Sequence, residues 1–466
     1  QIGGSWSRST RRPLRYAGPA LLLVLAMAVG VLSATTMSTW RLSQKDQADF
    51  RAAADVRVSE PSGDVTLGPL GRGARYASLP GVREAVPVAR QGATYGNADG
   101  FLLAADTGLL PKALRVRPDL AKSLKLGALT AARPAPHLMA LPGRPAKLAL
   151  DLRLTSNGPP PSLGSEGFYG PWEPNAPAFG ITVVLTDARG VSYPVDLDGL
   201  KANGKTQSLS VDVGSLAGPQ GSLSYPLSVR GMRWLESENP NHGPLTLEVV
   251  DVRGEGPGGG SAKLPPGATW QQWWDGGTGP GAKESTVTAP QRSGVLLTSL
   301  IPATVLEGLP PSAPTARVSM FLQHNDGPSH DNDAGFRQPP PIVPGVISRS
   351  LADRSHAKVG DSLELNLIQG RQTIRVIGIA RALPGLEAGT DGTLVDLRTL
   401  ADRWQAAGYT RDDAANPGEW WLSVQDARTG PVVDAMKSRA GLGDVTADRV
   451  QMREDLRDAP LAASLQ

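Results

Sequence analysis

One long stretch of the chain, residues 16–40 between Arg15 and Arg41, carries no charged side chain. At about 1.5 Å per residue, an α-helix over these positions is about 37 Å long, which is enough to cross a hydrocarbon core of about 30 Å. The stretch therefore predicts a transmembrane helix, and the rest of the chain must fold beside a lipid bilayer. We expect its leucine-rich centre to anchor the helix in the bilayer through Leu21, Leu22, Leu23 and Leu25.

The charges on either side of this stretch predict its orientation. No acidic residue precedes it, and the basic residues that do are Arg8, Arg11, Arg12 and Arg15. Trp40, an aromatic residue typical of the membrane boundary, ends it. The positive-inside rule then places residues 1–15 in the cytoplasm as a basic tail and everything after Trp40 outside the cell membrane. A cleaved signal peptide is the alternative, and it would export the same bulk of the chain.

Composition excludes several classes of function. The first fifteen residues contribute a balance of +4, while the rest contains 43 basic and 44 acidic residues. The basic excess is therefore juxtamembrane and suits anionic lipid headgroups, and it offers no surface for nucleic acid. The chain has no cysteine, which excludes disulfides, thiolate metal sites and cysteine nucleophiles.

The part after the membrane segment predicts a mixed α+β domain that is interrupted by a β-sandwich. Short runs that alternate apolar and polar residues recur between turn residues over residues 143–253, as in LALDLRL at 148–154. Such spacing predicts an antiparallel, jelly-roll-like sandwich. Residues 41–142 and 292–466 mix helical and strand patterns, so we expect them to form the two parts of the α+β domain. The Gly/Pro-rich residues 254–291 predict a linker or loop.

Three tryptophans lie in that Gly/Pro-rich stretch, Trp270, Trp273 and Trp274. Aromatic side chains bury a large area, so we favour their packing over a flank of the sandwich. The other interpretation is a surface that stacks on sugar rings or contacts a partner. A wholly disordered linker seldom carries three tryptophans, and both interpretations therefore predict that the stretch docks on the protein.

Motifs spread along the chain resemble the outer region of FtsX/MacB-type ABC transporter permeases, in the long actinobacterial form. They are DQADF at 46–50, ADVRV at 54–58, LPGV at 79–82, LAADT at 103–107, VGD at 359–361 leading to a hairpin that ends in VIGI at 376–379, GEWWL at 418–422 and DAPL at 458–461. The VGD hairpin, which includes Gly360 and Gly378, is the most specific of them.

The resemblance implies a membrane helix that leads into a MacB-like α+β extracytoplasmic domain, then further membrane helices. The partners it implies are a separate ABC ATPase subunit, the remaining permease helices or a second permease copy, and the lipid bilayer. It implies no enzyme activity and no cofactor in this chain. The sandwich at 143–253 is a departure from the smaller MacB-type domain. The family pattern also predicts a further membrane helix after Gln466, so we expect the chain to be part of a longer permease.

Two glycine motifs match nucleotide-binding patterns by letter only. Gly199–Thr206 fits the P-loop, GxxxxGK[ST], but a P-loop requires a strand before it and a helix after it. The alternating run at 208–213 instead predicts a hairpin turn at Asn203 and Gly204 inside the sandwich. The GxGxxG at 254–259 has no βα unit around it, and we discard it.

One polar cluster carries the only weak candidates for a metal site: His324, His330, Asp331 and Asp333. Imidazole and carboxylate groups suit a transition metal, but calcium-loop spacing is missing. A solvated loop is the favoured interpretation because the cluster lies beside Pro and Gly. No catalytic set is recognisable, so an anchored hydrolase is the weakest hypothesis, and a membrane-anchored glycan-binding module is the alternative to the permease.

Overall fold

The computed structural model describes residues 14–61, 66–134, 138–158, 179–235, 243–266, 268–275, 285–288, 293–301, 317–324, 342–367, 370–406, 417–439 and 441–458. The first element is helix α1, Leu14–Ala52, which continues without a break for 39 residues. Its apolar part is long enough to cross a membrane, and none of that part is buried in the protein. The predicted apolar helix is therefore present, and it extends beyond Trp40 into the folded domain.

Further helices follow α1 in the described part of the chain. They are α2 Pro69–Ala77, α3 Leu110–Ala113, α4 Pro118–Ser123, α5 Leu126–Ala131, α6 Arg349–Ser355, α7 Leu397–Ala406, α8 Gly430–Lys437 and α9 Arg449–Asp458. The split between α3 and α4 follows from Pro118, which begins α4 because proline suits the first turn of a helix and not its interior.

The strands alternate with these helices at both ends of the chain and follow one another directly in its middle. They are β1 Val56–Ser59, β2 Val82–Tyr95, β3 Ala98–Ala105, β4 Met139–Ala140, β5 Lys147–Ser156, β6 Phe179–Thr186, β7 Ser192–Leu200, β8 Asn203–Asp212, β9 Ser228–Leu235, β10 Leu245–Glu255, β11 Gly260–Ser261, β12 Ala268–Asp275, β13 Ser285–Thr288, β14 Leu297–Ile301, β15 Arg317–His324, β16 Val343–Ser348, β17 Ser362–Leu367, β18 Gly370–Ala380, β19 Gly392–Asp396, β20 Glu419–Val424 and β21 Val445–Asp448.

A nine-stranded mixed sheet forms an α+β unit, which we call the base. Its strand order is β17-β18-β16-β19-β3-β2-β20-β1-β21. β17 also pairs with β2, through Asn366 and Thr94, so the first six strands curl back on themselves. Apolar side chains such as Leu102, Ile374 and Val395 are buried together in one cluster of this unit. Strands from both ends of the chain alternate in the sheet, and the base therefore needs both segments to fold.

Two antiparallel sheets form the sandwich that separates these segments. The five-stranded sheet contains β11, β10, β5 and β8 in that order, with β14 on β10, and the seven-stranded sheet contains β13, β12, β15, β9, β6 and β7, with β4 on β9. Alternation along β5 buries Leu148, Leu150, Leu152 and Leu154 completely. They pack in a common core with apolar residues of β6, so the period-two pattern of the sequence fixes which face of each strand is inside.

The sequence patterns differ from the structure in two places. Residues 254–291, expected to be a linker or loop, contain β11, β12 and β13, and the sandwich also includes β14 and β15. These strands were missed because the glycine-rich composition around them hides their alternation. The turn at Asn203 and Gly204 is not a hairpin, since β7 pairs with β6 and β8 pairs with β5 in the opposite sheet.

Candidate functional site at the two junctions of the base

A buried carboxylate joins the end of the membrane helix to the base. Asp55 follows α1 directly and its side chain is fully buried. Arg115 donates to both of its oxygens, from Nε to Oδ1 at 3.0 Å and from Nη2 to Oδ2 at 2.8 Å. Arg449 of α9 approaches Oδ1 at 2.8 Å, and the Val424 backbone N–H of β20 donates to Oδ2 at 3.0 Å. Four separate segments of the chain therefore meet at one side chain.

A second carboxylate, Asp49, joins α1 to α9. Arg453 donates to Asp49 Oδ1 from Nε at 3.0 Å and from Nη2 at 2.6 Å. Arg449, one helical turn earlier, lies 3.7 Å from the same oxygen. We call Asp49, Asp55, Arg115, Arg449 and Arg453 the hub. Charge-assisted and partly bidentate hydrogen bonds of this kind fix orientation as well as distance.

Helix α9 runs antiparallel to α1 and points back towards the membrane end. Its first residue lies by Asp55 and its Leu456 lies by Gln44 of α1. With its amide oriented to satisfy both neighbours, Gln44 donates to the Leu456 carbonyl at 3.2 Å and accepts from the Trp40 indole at 3.3 Å. The described part of α9 thus ends beside the residue that the sequence places at the membrane boundary.

In the hub, the burial of Arg449 opposes its attraction to two carboxylates. Burial lowers the pKa of Arg449, and the carboxylates of Asp55 and Asp49 act in the opposite direction. An arginine remains charged in any case, because its ordinary pKa lies above 12. Loss of Asp55 would leave the buried Arg449 with only Asp49, at 3.7 Å, as a counter-charge, and removal of one partner from a buried ion pair is costly.

A second junction, which we call the seam, joins the base to the sandwich by direct backbone contact. The N–H of Gly68, at the start of α2, donates to the Ala217 carbonyl at 2.9 Å. A Cβ on Gly71 would lie 2.3 Å from that carbonyl oxygen and 2.7 Å from the Cα of Gly221. Only glycine allows two backbones to approach this closely. Apolar side chains of the base and the sandwich, including Tyr76 and Leu148, belong to one continuous buried cluster.

Ion pairs add to the seam on both sides. Arg189, on the turn between β6 and β7, donates to Glu84 Oε1 at 3.0 Å and to the Ala85 carbonyl at 2.6 Å, both on β2 of the base. Arg230 of the sandwich lies 3.1 Å from Asp402 of α7. The sandwich is therefore held at several points, and its orientation on the base is defined.

A buried acid stabilises the turn that carries Arg189. Asp187 Oδ1 accepts from the backbone N–H groups of Arg189 at 2.9 Å and Val191 at 3.0 Å. Burial raises the pKa of Asp187 to about 6, against the opposing effect of these hydrogen bonds and of nearby arginines. The group therefore changes charge in a range that cells and their surroundings reach.

The predicted membrane-anchoring residues lie where a bilayer could contact them. Leu21, Leu22, Leu23 and Leu25 are 58–70% exposed on α1, and Trp40 is 37% exposed. Arg15 is part of α1, and its side chain lies outside the described part, as do Arg11 and Arg12 entirely. The anchoring and the topology remain predictions.

The metal candidates and the P-loop match are the remaining motifs of the sequence. His324 ends β15, while His330, Asp331 and Asp333 lie outside the described residues, so the metal candidates stay untested. The described residues contain no group of three or more potential metal ligands. The P-loop match at residues 199–206 leads from β7 into β8, a strand and not a helix, and cannot cradle phosphate as a P-loop does.

The tryptophan segment is part of the sandwich. Trp270 of β12 is completely buried in the sandwich core, so it packs as the favoured interpretation predicts and is not available to stack on a sugar. Trp273 and Trp274 lie on the same strand, which pairs with β13 and β15.

Sequence reasoning missed the hub and the seam. A signal for the hub exists in the i, i+4 spacing of Arg449 and Arg453, which puts both guanidiniums on one face of a helix. Its acidic partner Asp49 is 404 residues away from Arg453, and no local pattern connects them.

No protein-family model matches the chain, and neither does any curated protein.

Proposed function

We propose that this chain is a permease component of an ABC transporter of the FtsX/MacB type. Its outer domain couples ATP hydrolysis by a separate ATPase subunit to the export or release of a substrate outside the membrane. The observation that carries this proposal is the continuity of α1, which runs from the exposed apolar segment to the buried hub without a break. A shift of the membrane helix therefore acts directly on the base.

The antiparallel course of α9 supports the same proposal. α9 contacts the part of α1 outside the apolar segment through Asp49 and Gln44, and its end lies beside Trp40. A domain whose two ends both lie at the membrane is the arrangement that the permease resemblance implies. Relative sliding of α1 and α9 would change the hub, because the bonds from Arg449 and Arg453 allow only one register.

The seam supports transmission of movement to the sandwich. Close-packed interfaces resist continuous deformation and move as units. The glycine contact between α2 and the 217–221 segment, together with the Arg189 and Arg230 ion pairs, holds the sandwich to the base. A movement at the hub is therefore expected to reach the far end of the sandwich as rotation or translation of one body.

The topology is tested by labelling single cysteines, since the chain has none of its own. Ser7→Cys lies in the basic tail and Ser210→Cys on an exposed position of β8. A membrane-impermeant maleimide on intact cells should label Ser210→Cys, and should label Ser7→Cys only after permeabilisation. Protection of Ser210→Cys in intact cells, with labelling after lysis, would contradict an extracytoplasmic outer domain.

The transporter assignment is tested on the full chain isolated from its native membranes with its accompanying subunits. We expect an ABC ATPase to co-purify and vanadate-sensitive ATP hydrolysis in nanodiscs. Hydrogen exchange of the seam and of α9 should differ between the ATP-vanadate and nucleotide-free states. Arg453→Gln should abolish this difference, whereas Arg117→Gln, which removes a more exposed contact to Asp46 of α1, should keep it. Absence of any ABC ATPase, or exchange that ignores nucleotide, argues against the proposal.

A further inference from the structure

A cleft of about 360 Å³ opens beside the seam. Residues of the base, among them Glu60, Arg72 and Arg90, line it together with Tyr193 of the sandwich strand β7. Its volume lies at the lower end of the range for small-molecule sites. Tyr193 is the member from the sandwich, so a ligand in the cleft would contact both units.

Positive charge is in excess around this cleft. Arg72 bonds Glu60, and Arg90 lies 2.7 Å from Glu419. Arg57 is directly behind, since Arg57 and Arg90 both donate to the carbonyl of Gly385. Burial and the neighbouring Arg90 lower the pKa of Arg57, although Glu419 opposes them. Three guanidiniums thus share two carboxylates, and an added anion would balance the charge.

Two donors of the lining side chains have no hydrogen-bond acceptor among the described residues. They are Nε of Arg72 and the hydroxyl of Tyr193, and both atoms are buried. Burial raises the pKa of Tyr193 well above its ordinary value, so the hydroxyl keeps its proton. Buried donors without acceptors are rare in folded proteins. At these two atoms the missing group is an acceptor, which agrees with the excess of positive charge.

The side chain best placed to give way is Glu60. It is 48% exposed, whereas its partner Arg72 is only 14% exposed. The carboxylate can therefore rotate into solvent while the guanidinium stays in place. Its departure would uncover Arg72 and free a charge-assisted bonding position beside Tyr193.

We propose that the cleft binds a small ligand through an oxyanion, a carboxylate or a phosphate, that replaces Glu60 on Arg72 and accepts a hydrogen bond from Tyr193. The ligand spans the seam, so its occupancy stabilises the sandwich on the base. The site does not depend on the coupling role proposed above, because it is defined by the cleft alone.

The test uses methyl phosphate as the probe and the full chain in a maltoside detergent. Saturable broadening of the probe's ³¹P signal reports binding, and acetate is added as a competitor at matched ionic strength. Displacement by acetate indicates a carboxylate-accepting site, and resistance to it indicates one selective for phosphate; both support the proposal. No saturable broadening, with no rise in unfolding temperature on adding acetate, overturns it.

Three variants give opposed expectations. Glu60→Gln removes the competing carboxylate and should tighten binding by about tenfold, as loss of one charged competitor of about 1.4 kcal/mol implies. Glu255→Gln, a matched control at 46% exposure on the sandwich, should leave binding unchanged. Arg72→Gln should weaken it by about tenfold or more. Equal affinity in Glu60→Gln, Glu255→Gln and wild type overturns the proposal.

Tyr193→Phe separates a binding role from a structural one. Because the hydroxyl has no acceptor in the described part of the chain, its removal should not lower the unfolding temperature of the ligand-free chain. It should weaken methyl phosphate binding by about threefold to tenfold, the contribution of one hydrogen bond. A variant that is less stable and binds equally well would show that the hydroxyl serves the fold, and would overturn its assignment to the site.

Discussion

Replacement of Asp55 by alanine tests the hub most directly. The side chain is fully buried, accepts hydrogen bonds from Arg115 and from the Val424 backbone, and forms an ion pair with Arg449. Asp55→Ala removes the nearer carboxylate and leaves the buried Arg449 with only Asp49, at 3.7 Å, as a counter-charge. Removal of one partner from a buried ion pair costs about 3–5 kcal/mol. We therefore expect the free energy of unfolding to fall by about 4 kcal/mol, a large fraction of the stability of a typical domain.

Urea unfolding of the full chain in detergent, followed by tryptophan fluorescence, measures this loss. Trp420 and Trp421 are buried on β20, the strand whose Val424 bonds Asp55, so two of the ten tryptophans of the chain lie next to the hub. Asp119→Ala is the control, because its ion pair with Arg117 is exposed to solvent and contributes little. In the double variant with Arg115→Ala the two losses should be less than additive. Equal unfolding midpoints for Asp55→Ala and Asp119→Ala would refute the reasoning.

Further predictions concern the seam and the sandwich, and each is checked by unfolding of the full chain in detergent. Gly71→Ala places a Cβ 2.3 Å from the Ala217 carbonyl oxygen and should lower the free energy of unfolding by about 1–3 kcal/mol. The control Gly127→Ala has open space around it in α5 and should raise the free energy of unfolding by up to about 1 kcal/mol. A Gly71→Ala protein that is more stable than the Gly127→Ala protein would contradict the close contact at the seam. Leu150→Ala, fully buried on β5, should cost about 2–5 kcal/mol, and a loss below about 1 kcal/mol would contradict the assigned core. Burial raises the pKa of Asp187 to about 6, so the folded state favours the neutral carboxyl group. The stability that this group contributes is fully present below its unfolded pKa and is lost as the pH rises to about 6. The loss amounts to about 3 kcal/mol at 1.36 kcal/mol per pH unit. Asp187→Asn should lack this loss across pH 4–6.5. Equal dependence of unfolding stability on pH in Asp187→Asn and wild type would refute the prediction that ionisation of Asp187 destabilises the fold.

Local patterns predict the parts of this fold that depend on local physics. The uncharged stretch predicts α1, the alternation of leucines predicts β5, and Pro118 predicts the break before α4. The hairpin of β17 and β18 is confirmed as well, because its turn is short and its alternation is strong. The pattern that predicts each of these elements lies within the element itself or its immediate neighbours in the sequence.

Pairing between distant segments is the part that local patterns do not predict. Asn203 and Gly204 have the composition of a hairpin turn. The chain nevertheless crosses to the other sheet here, because β7 pairs with β6 and β8 pairs with β5. β12 is similar, since its pairing with β15 joins residues about fifty positions apart across a Pro-rich segment. The hub depends on a contact over 404 residues, and nothing short of the fold brings Asp49 to Arg453.

The polar nature of both junctions is itself informative about how they act. Apolar residues of matched volume usually stabilise a buried contact as well as an ion pair does, so stability alone does not explain the hub. Apolar contacts also tolerate small shifts of one helix along another, whereas Arg453 on Asp49 and Arg115 on Asp55 have one register each. The seam is also held in one position, but by direct backbone contact: at Gly71 no side chain separates the backbone of α2 from that of the 217–221 segment. Both junctions hold their partners in one register, and this is the property that the proposed coupling role would require of them.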